Sequence, residues 1–128
     1  MTTYNLIAAG GPGWLPEAAL RDGLIERFPG TRYGHNVVPG NSFPLYTEVP
    51  DPVPGDADHM LEAALIDTGD CLSFEDATLE KVTEITIWVL ATFPVPPGAD
   101  VTLWCDDDVL HIDPATVTAA DIVTHFDE

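Results

Sequence analysis

The sequence predicts one α+β domain over residues 1–128. Its core is a small mixed sheet, made of an N-terminal βαβ-like unit and a C-terminal β-hairpin, with two to three helices packed on it. Three observations predict this. Two short apolar runs enclose a helical segment that stops at Pro29-Gly30, residues 101–112 alternate about an acidic tip, and an apolar share of 45% over 128 residues suffices for one core but not two.

Residues 4–9 read as a short buried strand ended by Gly10-Gly11-Pro12-Gly13. A helix follows from Leu15, with Pro16 in its first turn and Glu17 at the positive end of the dipole. Leu15, Leu20, Leu24, Ile25 and Phe28 approximate helical spacing. Residues 31–38 form the second strand, which makes a βαβ unit if the two strands run parallel. The prolines at 39, 44, 50, 52 and 54 mark an extended connection, favoured over a proline-rich ligand motif.

Met60, Leu61, Ala64 and Leu65 form a stripe that predicts a helix over 56–67. Ser73 followed by Asp76 resembles a capping box and opens a longer helix toward Leu90. Its β-branched stretch, residues 82–89, fits a strand as well, and helix is preferred. The hairpin pairs residues 101–105 with 109–112 across the tip Asp106-Asp107-Asp108, which sets Cys105 opposite Val109 and His111 opposite Leu103. Thr118 and Asp121 cap a last short helix carrying Ile122, Val123 and Phe126.

The charge is lopsided. The chain holds 22 Asp and Glu against 4 Lys and Arg, a formal net charge of −18. Residues 1–44 are neutral, with Glu17, Asp22 and Glu26 balanced by Arg21, Arg27 and Arg32, so the excess belongs to the later two-thirds, where Lys81 is the lone cation. Direct nucleic-acid binding is disfavoured, because phosphate neutralisation needs cations this chain lacks. The longest unbroken apolar run, residues 87–91, is too short to span a membrane. The first residues lack the cationic and apolar stretches of a signal peptide, so a cytoplasmic location and reduced Cys71 and Cys105 are expected.

Assembled chemistry is sparse. The glycine-rich turn lacks the remainder of a dinucleotide fingerprint or a P-loop, and reads as a tight turn. Two clusters, Asp56/Asp58/His59/Glu62 and residues 106–108 with His111 and Asp113, offer carboxylates for a hard divalent cation, but neither has a known ligand spacing, and solvated acids are the favoured account. Neither serine lies in a nucleophile elbow, and the negative field should raise a thiol's pKa. No cofactor is implied, and a metal-dependent hydrolase remains only an alternative reading.

The acidity itself has three explanations: a basic partner, adaptation to a salty cytoplasm, or drift. Adaptation would acidify the first 44 residues too, so the asymmetry favours a partner. The expectation is a non-enzymatic interaction or inhibitor protein that docks a negative face on a basic protein, in the manner of a DNA mimic or an immunity protein. A virion or assembly component is the other alternative. The carboxylates expected to form that face are Glu62, Asp67, Asp70, Asp76, Glu80 and Glu84, with Asp106, Asp107 and Asp108 at the hairpin tip. Asp76, Glu80 and Glu84 recur every fourth residue and would line one helix face.

Overall fold

Alternating burial along residues 2–9 puts Tyr4, Leu6 and Ala8 on one face of strand β1 (Thr2–Ala9). In the computed structural model, which describes residues 2–34, 45–66 and 69–127, β1 is an interior strand of a seven-stranded sheet. The chain continues through α1 (Glu17–Arg27), β2 (Arg32–Gly34), β3 (Leu45–Pro50), β4 (Met60–Leu65) and β5 (Cys71–Ala77). Helix α2 (Leu79–Thr92), hairpin strands β6 (Asp100–Cys105) and β7 (Asp108–Ile112), and α3 (Ala119–Phe126) complete it. The strand order is β2-β3-β4-β5-β1-β6-β7.

The α+β class holds, with three helices on the sheet, but the sheet is antiparallel at every pairing, not mixed. β1 and β2 do run in the same direction, yet three strands lie between them. The physical reason is local pairing. β2, β3 and β4 each pair with the next strand in sequence, β5 pairs back with β1, and β6 takes the other side of β1, so both places that a βαβ unit would need are filled.

The helix expected over 56–67 is not formed at 56–66, and position 67 lies outside the described residues. Leu61, Ala63 and Leu65 also repeat at period two, and β4 uses that pattern to bury them between β3 and β5. The Ser73/Asp76 box falls inside β5, and the N-cap of α2 is Thr78, whose hydroxyl accepts from the Lys81 amide at 3.2 Å. Residues 82–90 are helical. Asp76 instead takes a left-handed backbone, φ 58°, where the β1–β5 register shifts between Thr2 and Tyr4.

The C-terminal hairpin forms as expected, but its turn has two residues, Asp106 and Asp107. Cys105 therefore faces Asp108, and His111 faces Thr102. The left-handed Asp106, φ 53°, allows the tighter turn, since aspartate tolerates that conformation better than most residues. The final helix keeps its capping box, with Thr118 Oγ1 accepting from Asp121 N and Asp121 Oδ2 accepting from Thr118 N. Of the second predicted strand, Arg32–Gly34 is formed, and positions 35–38 lie outside the described residues. Of the proline-rich connection, positions 39–44 lie outside them too, Leu45–Pro50 is strand β3, and a Val53–Asp56 bridge closes a turn at Pro54-Gly55.

One side of the sheet carries Leu6, Val49, Leu61, Leu72, Phe74 and Leu103, and the helices seal it with Leu20, Leu24, Val82, Ile85, Val89 and Ile122. Burying such side chains is the main favourable contribution to the fold, at about 1.5–3 kcal/mol each. The Trp14 indole N–H donates to the Phe93 carbonyl at 3.0 Å and ties the first loop to the end of α2.

Candidate interaction surface

Register decides where the carboxylates go. One end of the sheet collects the start of β1, the end of β5 and the β6–β7 turn, so Asp76 and the tip residues Asp106, Asp107 and Asp108 share that end. The β3–β4 connection adds Asp51, Asp56 and Asp58, and the first turn of α2 adds Glu80. Asp70 lies at the opposite end, where its carbonyl accepts from Ala8 N. Asp67 lies outside the described residues. The row expected from Asp76, Glu80 and Glu84 does not exist on one helix, because Asp76 belongs to β5 and only Glu80 and Glu84 share α2.

Each of the four basic side chains is already engaged with a carboxylate. Arg21 meets Asp22 at 3.0 Å, Arg27 meets Glu84 at 3.5 Å, Arg32 meets Glu48 at 3.1 Å, and Lys81 meets Glu84 at 3.0 Å. Glu84 thus serves the fold, linking α1 to α2. The tip residues Asp106 and Asp107 are exposed, while Asp108 holds His125 Nε2 at 2.9 Å.

Three glutamates that the sequence scatters form a cross-strand row on the helix-free face: Glu48 on β3, Glu62 on β4 and Glu75 on β5. Like charges directly opposite one another are unfavourable. Arg32 offsets Glu48, and the Tyr46 hydroxyl donates to Glu62. Burial, then this bond to the carboxylate, pushes the Tyr46 hydroxyl's pKa up. Glu75 is exposed.

Behind the row is a buried polar node. Asp51, 2% exposed, accepts from the Thr78 amide at 2.8 Å and the Thr78 hydroxyl at 2.7 Å. Its carboxylate therefore sits at the positive end of the α2 dipole. His59 Nδ1–H donates to the Asp51 carbonyl at 2.7 Å, and Nε2 lies 3.4 Å from the Asp76 carboxylate. The Asp51 carbonyl bond, aided by Asp76 and opposed by burial, raises the His59 pKa above its ordinary value. Sequence inspection picks out His59 and Asp76 but misses Asp51, Glu48 and Glu75. The strict alternation of Leu45, Thr47 and Val49 is the signal that could have placed Glu48 on an open sheet face.

Among the described residues no group of three or more His, Cys, Asp or Glu is set to hold a metal ion. Both cysteines are free. Burial and Asp70 push the Cys71 thiol up to about 11, and burial with Asp106 and Asp108 raises Cys105 as well. Among the described residues no helix is long and apolar enough to cross a membrane.

Two grooves flank α3. One, of about 450 Å³, lies against α2 and is mostly apolar, with Ile87, Trp88, Ala91, Ala119 and Val123. The other, of about 560 Å³, runs between α3 and β7 and mixes Leu110, Ile112 and Val117 with Asp113, Asp121 and His125. No family model, curated protein or solved structure matches this chain, so the site stands on its own geometry.

Proposed function

We propose that this chain is a non-enzymatic docking or inhibitor protein that presents the acidic end of its sheet to a basic protein surface. The partner is of the kind that otherwise meets nucleic-acid phosphates, or a basic toxin. The observation that carries this reading is the gathering of Asp58, Asp76, Glu80, Asp106 and Asp107 at one end, while each of the four basic side chains, including Lys81 beside Glu80, is occupied by an ion pair with another carboxylate. A coherent negative field of this type speeds capture of a cationic partner and selects against anionic ones.

The test is affinity capture from a lysate at low and high salt, followed by binary binding to the basic protein recovered. Glu80→Lys with Asp107→Lys reverses charge at the acidic end, and Glu17→Lys with Asp100→Lys makes the same net change elsewhere. The acidic-end pair is expected to weaken binding tenfold or more beyond the other pair, and the complex to loosen steeply with salt. Equal loss from both pairs would show that net charge, not a patch, holds the partner.

A further inference from the structure

The outer side of β7 ends the sheet, and we propose that it takes an extended, lysine- or arginine-bearing segment of the basic partner as an eighth strand. The inference rests on the docking role proposed above and adds how the partner is held.

The backbone supplies the first half of the argument. The two-residue turn makes Cys105 and Asp108 the closing pair of the hairpin, with Leu103–Leu110 and Val101–Ile112 following at every second step. In an antiparallel ladder, residues at that spacing exchange hydrogen bonds with the partner strand, so Val109 and His111 turn their N–H and C=O groups outward. Among the described residues no segment pairs with that side. Such an edge is a template for an incoming strand.

The second half is the wall beside it. Helix α3 runs back along β7 from its far end to the hairpin tip, where His125 meets Asp108 at 2.9 Å. Ala120 and Thr124, and likewise Asp121 and His125, lie four residues apart and so face the same groove. The groove between the strand edge and the helix has a volume of about 560 Å³, and the small Ala120 and Thr124 line its helix side. Asp108 lies at one end and Asp113 and Asp121 at the other, and no lysine or arginine lines the groove. Charge thus selects a cationic segment, and the net charge of −18 disfavours a second copy of this chain.

The probe is a capped octapeptide of alternating Lys and Val, compared with the same peptide carrying an N-methyl group on every backbone amide. Titrated into isotope-labelled protein, the unmodified peptide is expected to shift the Val109 and His111 amides. N-methylation keeps every charge and should weaken binding at least tenfold. Val109→Pro removes one outward N–H without touching the β6 ladder, and should lose the peptide while melting cooperatively. Equal binding of both peptides, with shifts confined to Asp58, Asp76 and Glu80, would overturn strand addition while leaving the acidic docking role intact. Absence of binding by either peptide at low salt would count against both. Shifts at Val109 that grow with protein concentration alone would make a second copy the occupant and overturn the proposal.

Discussion

Asp51 and Thr78, 27 positions apart, are joined twice: one carboxylate oxygen takes the threonine amide and the other its hydroxyl, at 2.8 and 2.7 Å. The same hydroxyl then accepts from the Lys81 amide, so the start of α2 is held by a relay that begins in the β3–β4 connection. Asp51→Ala leaves two part-buried donors unanswered and is expected to cost about 2–4 kcal/mol. Thr78→Ala should cost about 1–2 kcal/mol. Because the two share one network, the double variant should lose about 1 kcal/mol less than the two single losses combined. Urea unfolding of the three variants measures this, and strict additivity would show that the contacts act independently.

His59 gives stability a definite dependence on pH. Its folded-state pKa lies above the unfolded value, so the protonated ring favours the folded chain. That contribution is complete below the unfolded pKa of about 6.5 and disappears as pH rises through the folded value. The charged or polar groups facing the ring are the Asp51 carbonyl and the carboxylates of Asp51 and Asp76. The gap in urea midpoint between wild type and His59→Gln should therefore be widest below pH 6.5 and narrow as pH rises through the folded-state value. A gap that stays constant with pH would remove His59 as the titrating group.

Gly23 reverses an ordinary rule. Glycine to alanine inside a helix usually stabilises by about 1 kcal/mol. Here a Cβ at position 23 would stand 2.7 and 2.8 Å from two ring atoms of Trp88. That ring meets Phe28 and Phe93 edge-on, at centroid separations of 6.0 and 5.8 Å, and making room for the Cβ would disturb both contacts. Gly23→Ala is expected to destabilise by about 1–3 kcal/mol. Thermal melting checks the sign, and adding Trp88→Leu should recover part of the loss by freeing the space.

What the sequence makes legible is what local chemistry decides. The hairpin strands and the Thr118–Asp121 box are written in adjacent residues, and both form. Residues 60–65 carry apolar positions that satisfy a helix stripe and a strand face equally, and pairing with β3 and β5 settles the choice from far along the chain. Ser73 and Asp76 mimic a cap, whereas the working cap, Thr78, is backed by Asp51 from another element. The acidic face divides the same way. The tip aspartates are visible as a run. Asp76 and Glu80 do reach the same end, but through the close of β5 and the start of α2, not as one helical row. Glu48 and Glu75 join Glu62 only once strand register is known.

That row makes the last prediction. Glu75 stands opposite Glu62, which in turn stands opposite Glu48, and a single cation, Arg32, is paired into the row at its far end. Replacing Glu75 by lysine turns one like-charge neighbour into an opposite one beside the Tyr46–Glu62 hydrogen bond. Cross-strand pairs of this kind are worth about 0.2–1 kcal/mol, so Glu75→Lys should raise stability by that amount at low salt. The gain should shrink toward zero at 1 M salt, where the screening length falls to about 3 Å. Since Glu75 is exposed and holds no cap or core contact, a loss of stability on substitution would mean that the row is maintained by interactions other than those of its charges. Thermal melts at the two salt concentrations separate these outcomes. Partner capture by the same variant then asks whether the row belongs to the docking end. An unchanged affinity confines docking to the loops and the hairpin tip, and a weakened one extends it onto the open face of the sheet.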